Sequence, residues 1–457
     1  MSISPSLSLA GVLLVAVSSV HAQNCGSCAG CPASTRVVLR TEAETEHCHW
    51  LEVVSVTPDG PAARAGIEPG DVLVSYAGST VGCLADLNRA RDAATTESVA
   101  VSFRRGNRLL SFALPRGKLG IHFQEWQKDL VPDKDARVIK GVPALSWLEG
   151  KSNSFMGALE AVLSQQGLRG DYTYLCGISG AAFRTHFFDT WCPSSPDPTC
   201  GFDAASEALA AVGLKATWLH VSSDGKNKPK IVAAIKKSID AGMPVLAIDL
   251  RNLPEWGVIT GYQKNGQELF CRTYFDNRKG YELAEKFPSA VAILAKLPRT
   301  PDAKESLRRS FGTVVQNLTP QKYGAYYSGL AAFDKWVERL RTDDFTQLDN
   351  VQLLNVVQAN YWIYDRVIAD RRTGLAYLDR IAEDMSELEP VLADLTALYL
   401  QELDLLEPLR AELPCPGSVT RAEQWSRDMR ERQAIALATA RDHEERTLPL
   451  WQSLVGH

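Results

Sequence analysis

V-T-P-D-G-P-A-A-R-A-G-I-E-P-G-D-V-L-V-S-Y-A-G, residues 56–78, alternates turn chemistry with short apolar runs. It follows an apolar strand, L-E-V-V-S-V (51–56), and T-P-D-G-P reads as a turn. A-A-R-A-G is a short helix stopped by its glycine, and E-P-G-D is a second tight turn into the strand V-L-V-S-Y. Working outward, C-L-A-D-L-N-R-A-R-D-A-A (83–94) fits a second helix, and the run V-A-V-S-F-R-R-G-N-R-L-L-S-F-A-L (99–114) fits two strands. Residues 35–125 thus predict a small, mostly β module.

Residues 56–78 resemble the central segment of PDZ domains, where a Pro-Ala-Ala helix and a Gly-Asp turn recur together. The resemblance covers about ninety residues and implies peptide binding by strand addition, in which a ligand C-terminus pairs with a sheet edge and its carboxylate rests on backbone amides of a glycine-containing loop. The matching loop here is G-K-L-G-I: Gly117, Lys118, Leu119, Gly120 and Ile121, with Lys118 near the carboxylate. It departs from the common bacterial arrangement, in which this loop precedes the rest of the module. Two readings of the stretch stay open, a carboxylate loop or a plain exit into the linker. The partner implied by the resemblance is a peptide or protein C-terminus.

The chain has 457 residues and a net charge of −5, with no basic tract, so nucleic acid and anionic membrane surfaces are not expected partners. At the N-terminus, L-A-G-V-L-L-V-A-V-S-S-V is too short to span a bilayer comfortably, and V-H-A precedes Gln23 in the small-residue pattern of signal-peptidase cleavage. Residues 1–22 therefore read as a signal peptide, and the mature chain as exported, periplasmic or extracellular, without a membrane span. All ten cysteines follow that segment, which makes oxidised pairing the expectation. Cys192 and Cys200 bracket a loop stiffened by Pro193, Pro196 and Pro198, and a local disulfide is expected there. The cluster Cys25, Cys28, Cys31 within residues 23–34, with Cys48 beyond, suits disulfides or a thiolate metal site, disulfides being favoured.

Residues 126–143 are charged and proline-punctuated, as in a linker. From 144 to 300 two helices (F-M-G-A-L-E-A-V-L and Y-T-Y-L-C-G-I) precede an α/β stretch whose strands include P-V-L-A-I-D-L, W-G-V-I-T-G-Y and E-L-F-C-R-T-Y-F. Residues 301–457 turn helical. Leu388, Leu392, Leu395, Tyr399, Leu403 and Leu406 recur every three or four residues, the stripe of a bundle helix. In N-V-V-Q-A-N-Y-W-I-Y-D-R-V-I-A-D-R-R, the residues Asn360, Asp365, Arg366, Arg371 and Arg372 interrupt an aromatic helix and read as a solvated face or an ion-pair seam.

N-S-F-M-G-A-L, Y-L-C-G-I-S-G-A-A-F, G-M-P-V and W-G-V-I-T-G-Y are similar to the N-terminal domain of the butirosin-biosynthesis H family, acyltransferases with a papain-like fold. The resemblance implies an α+β multidomain chain: a β-rich PDZ-like module, a papain-like α/β domain and a C-terminal helical bundle. It also implies a cysteine at the first helix and a histidine at the strand ending in Gly-Tyr, because a helix N-terminus depresses a thiol pKa and an imidazole takes the proton. Here Ser154 stands at the nucleophile position, Glu255 or Trp256 at the histidine position and Asp276 at the orienting position. A glutamate is too weak a base for a serine hydroxyl unless burial raises its pKa. Ser152, Asn153 and Ser154 are also good helix caps, which accounts for them without chemistry. The expectation is a degenerate scaffold in which Glu255, Trp256 and Asp276 hold a ligand around the helix N-terminus. The alternative is an amide hydrolase or acyltransferase using Ser154 or Cys176, with His186 as base. His220 reads as a structural residue like His186, and no phosphate loop, dinucleotide fingerprint or tetrahedral metal set implies a cofactor.

Overall fold

The structure, a computed structural model, describes residues 49–455 apart from 107, 118, 252, 300, 417 and 420. The expected signal segment, the cysteines at 25, 28, 31 and 48, and Lys118 lie outside the described residues. The chain forms two compact units: among described residues, one holds 49–133 with 275–282, and the other holds 134–274 with 283–455.

The smaller unit is β-rich. Its strands are β1 (His49–Val56), β2 (Val72–Tyr76), β3 (Ser79–Thr80), β4 (Ser98–Arg105), β5 (Arg108–Pro115) and β6 (Ile121–Gln127), with helices α1 (Pro61–Ala65) and α2 (Leu84–Ala93). The sheet order is β5-β4-β2-β1-β6, with β3 on β2, so the last strand in sequence pairs with the first and lies at the edge. α1 starts with Pro61, whose missing N–H costs nothing there, and ends at Gly66 in the left-handed region. The inward residues of alternating strands, Leu51, Val53, Leu73, Val99, Val101 and Phe103, form its core with Ile67 and Leu87.

The larger unit mixes a sheet with helices. Its first half contains β7 (Arg137–Val138), α3 (Ser154–Gln166), α4 (Tyr172–Ile178), β8 (His186–Phe188), α5 (Ala204–Ala211), β9 (Leu214–His220), α6 (Lys228–Asp240), β10 (Val245–Ile248), β11 (Trp256–Gln263), β12 (Glu268–Arg272), β13 (Glu282–Leu283) and β14 (Ala290–Lys296). The strands order as β13-β12-β11-β10-β14-β9, with β7 on β11. Every residue of β11 is buried, which explains its unbroken apolar run W-G-V-I-T-G-Y. α3 is mostly apolar because its first turns are buried, with Phe155, Met156, Leu159, Val162 and Leu163 fully enclosed.

The second half is helical: α7 (Ala303–Leu318), the short strands β15 (Gln321–Tyr323) and β16 (Tyr326–Ser328), then α8 (Leu330–Thr342), α9 (Asn350–Asp384), α10 (Glu389–Arg410) and α11 (Arg427–Leu454). Asp349 and Gln352 make a reciprocal capping box at the start of α9. Of the six stripe residues, Leu388 lies just before α10 and the other five within it, and all are buried. This half packs directly on the first. β16 pairs with β8, and α9 packs on α4, where a Cβ on Gly177 would fall 2.1 Å from the Tyr377 ring. Among the described residues, no helix is long and apolar enough to cross a membrane.

Candidate functional site

In the β-rich unit, the loop before β6 is shaped by two glycines in the left-handed region, Gly117 (φ +115°) and Gly120 (φ +71°). The Leu119 side chain is buried, and its carbonyl accepts from Ala62 N–H at 3.3 Å. The Gly120 carbonyl accepts from Thr57 N–H at 2.7 Å. In a trans peptide the C=O and the following N–H point opposite ways, so with both carbonyls turned into the unit, the amides of Gly120 and Ile121 turn out of it. They open onto the start of the edge strand β6. The side chain of Glu125 then ties that strand to its neighbours: one carboxylate oxygen accepts from Leu84 N–H at 3.0 Å, supplying the cap that Cys83 does not, and the other sits 3.0 Å from His49 Nδ1. The first turn of α2 is thereby fixed beside β6. Outward amides, a sheet edge and an adjacent helix are the parts a strand-adding peptide needs.

In the larger unit the polar start of α3 is a crowded cluster. Asn153 is the cap, its Oδ1 accepting from Met156 N–H at 3.2 Å, while its own N–H donates to Tyr172 Oη at 2.9 Å. Ser154 is therefore the first helical residue and not the cap. Its hydroxyl accepts from Trp256 N–H at 3.2 Å and is hydrogen-bonded to the Glu255 carboxyl. Burial pushes the half-buried Glu255 carboxyl up to about 7, against the lowering effects of that hydrogen bond and of Arg366, with Asp197 adding a further upward push. Arg366, from α9, donates to Ser152 Oγ at 3.1 Å and also to the Ser152 carbonyl. One turn on, Asp370 lies 3.7 Å from Arg366, and burial raises its carboxyl to about 6 in spite of the Arg366 and Arg371 charges. Tyr274 packs its hydroxyl against α3 at Gly157, where a Cβ would fall 1.9 Å away, and stacks on Trp147 at 4.0 Å. Carboxyls held near neutrality beside a guanidinium can accept or release a proton, or hold a polar ligand, around a helix start.

The structure thus brings Ser154, Glu255 and Trp256 together. β12 ends at Arg272, and Asp276 lies among residues 275–282, which belong to the β-rich unit. Tyr274, two residues earlier, is the side chain that reaches α3. Cys176 is fully buried in α4, and burial raises its thiol pKa far above the reactive range, as expected of a packing residue. His186 has Nδ1 3.1 Å from the Cys200 carbonyl and Nε2 3.0 Å from Ser328 Oγ, and burial together with the Arg184 charge keeps the ring neutral. Neither nitrogen serves Ser154 or Cys176.

The expected Cys192–Cys200 disulfide is corrected, since both are free thiols. Their loop is closed by other means: the buried Arg184 guanidinium donates to the carbonyls of Pro196, Asp197, Cys200 and Phe202. Cys192 Sγ is 3.9 Å from Tyr326 Oη, and the Cys200 thiol hydrogen-bonds to the same hydroxyl. Among the described residues no group of three His, Cys, Asp or Glu side chains could hold a metal ion.

Sequence reasoning missed Arg366, Asp370, Tyr172 and Tyr274 as members of the α3 cluster. The i, i+4 pair Arg366 and Asp370 inside an apolar helix was the available signal. Residues 52–105 match the family model of the PDZ domain. No curated protein matches the chain.

Proposed function

We propose that this is an exported peptide-binding protein: its PDZ unit captures peptide or protein C-termini along β6, and the larger unit is a degenerate papain-like scaffold. The observation that carries the reading is the turning of the Gly120 and Ile121 amides away from the unit at the start of an edge strand. A carboxylate accepts from such amides, and the peptide behind it continues the sheet. Export is supported by the apolar run and V-H-A before Gln23, and N-terminal sequencing of the mature chain checks it. Titration with peptides selected for binding from a free-C-terminus display library tests the capture itself. The expected result is binding that C-terminal amidation weakens by about tenfold or more, the loss of one charge-assisted contact set. Equal binding of the amidated peptide would refute carboxylate recognition.

The larger unit is read as a scaffold because both candidate nucleophiles, Ser154 and Cys176, are buried, and His186 is engaged elsewhere. Glu255, raised to about 7 and hydrogen-bonded to Ser154, meets a hydroxyl that the fold covers. Treatment with a fluorophosphonate and with iodoacetamide is expected to leave Ser154 and Cys176 unmodified in the folded chain. Stoichiometric labelling of either residue would replace the scaffold reading with the hydrolase or acyltransferase one.

A further inference from the structure

The peptide-receiving edge of β6 is open along only part of its length. Gln127 N–H, at its far end, donates to the Asn277 carbonyl, and Gln127 forms a parallel bridge with Arg278. Because successive peptide groups of a strand point to alternate sides, the amides of Ile121, Phe123 and Glu125 face the same edge as that of Gln127. The chain from Asn277 then runs on beside the residues after β6. Arg278 Nε donates to the Lys128 carbonyl at 2.8 Å, and Gly280 N–H donates to Asp129 Oδ1 at 2.6 Å. Lys279 pairs with Glu52 at 2.8 Å and lies 5.4 Å from the centre of the Trp126 ring. Glu282 closes the segment on itself, accepting from Asn277 N–H at 3.0 Å and pairing with Arg278. Several independent contacts thus fasten residues 277–282 as a strap across the end of the edge.

Resting on the peptide-binding reading above, we infer that this strap limits recognition to the last few residues of a C-terminus and excludes internal or upstream sequence. A strand-added peptide whose carboxylate sits at Gly120 and Ile121 runs antiparallel to β6 and heads for Gln127. Alternate ligand residues meet Ile121, Phe123 and Glu125, so about five residues are read before the next ladder position, already taken by Asn277. The Glu125 carbonyl is itself occupied by Gln124 Nε2 at 3.1 Å, which weakens the last of these positions. The strap's own effect is to turn the upstream chain of a bound tail away from the sheet at Gln127.

The test uses octapeptides selected on the full chain from a free-C-terminus display library and resynthesised at eight, five and three residues. In the unaltered protein the octapeptide is expected to bind within about twofold of the pentapeptide. In the variant Arg278→Ala with Lys279→Ala and Asp129→Ala, the octapeptide gains about fivefold over the pentapeptide through one further ladder contact, while pentapeptide affinity stays the same. Should that variant fail to fold, Lys279→Ala alone carries the same comparison. An octapeptide advantage of equal size in both proteins, or none in either, overturns the strap and leaves peptide capture standing. If selection yields no peptide whose binding depends on its carboxylate, the capture reading itself fails and the strap with it.

Discussion

The loop before β6 and the first turn of α3 use one device, backbone N–H groups presented at the start of an element, and fill it in opposite ways. At β6 the carbonyls of Leu119 and Gly120 are satisfied inside the unit, and the amides of Gly120 and Ile121 are left turned outward. At α3 the chain supplies its own partners: Asn153 caps, Glu255 and Trp256 engage Ser154, and Arg366 covers Ser152. Each start looks like a site in the sequence. The first region leaves its amides turned outward at a sheet edge, whereas the second spends its hydrogen bonds on holding two halves of one unit together.

The largest effect is expected where that closure is deepest. Arg371 of α9 is fully buried, with Nε 2.6 Å from Glu444, a second carboxylate at Glu402 3.6 Å away, and further bonds to the Ala182 carbonyl and Thr185 Oγ1. Arg371→Ala leaves two acidic groups buried without their cation and is expected to cost about 3–5 kcal/mol, read from the denaturant midpoint. A loss below about 1 kcal/mol would break the contrast, showing that the larger unit does not depend on its polar seam.

Gly157→Ala comes next, because a Cβ there would fall 1.9 Å from Tyr274 Oη in fully enclosed surroundings. The expected destabilisation is about 1–3 kcal/mol by the same unfolding measurement. The corresponding change in the open region, Gly120→Ala, places a Cβ 3.3 Å from Thr57 at φ +71° and moves the outward amides. It is expected to weaken C-terminal peptide binding about tenfold, near 1.4 kcal/mol, at smaller cost to folding. Unchanged peptide affinity would place the carboxylate elsewhere.

The smallest effect is a pH signature of the closed region. Glu255 holds its proton up to about 7 in the folded chain, above the ordinary carboxyl value, so the native state binds the extra proton and its stabilising effect is present at low pH. As pH rises through 7 that contribution is lost, and stability relative to Glu255→Gln should fall between pH 5 and pH 8. Denaturant midpoints of the two proteins at both pH values check this. A constant difference would mean an ordinary, solvated carboxyl.

Much of the β-rich unit was legible because its signals are local. Turn glycines, the Pro-Ala-Ala helix and alternating apolar residues each act within a few positions, and the α10 stripe from Leu388 to Leu406 likewise follows from helical period alone. The α3 cluster was half legible: the family resemblance singled out Ser154 and Glu255, which do meet, but not Arg366 and Tyr274, which join them. Nothing in R-T-Y-F-D says that the strand stops at Arg272 and that the residues from 275 belong to the other unit. The Cys192–Cys200 loop misled for a related reason, since spacing allows a bond that the four carbonyl contacts of Arg184 make unnecessary.

By itself the sequence determined the local elements, the small β module with its glycine loop, and the helical character of the C-terminal third. Those follow from backbone sterics and hydrophobic period, which act over neighbouring residues. Only the tertiary structure decided that β6 returns beside β1 as the edge strand, that residues 277–282 strap its end, and that Arg366 fills the start of α3. Each depends on partners more than forty residues apart, whose pairing is set by packing and hydrogen-bond satisfaction in the folded chain and leaves no mark on the residues between.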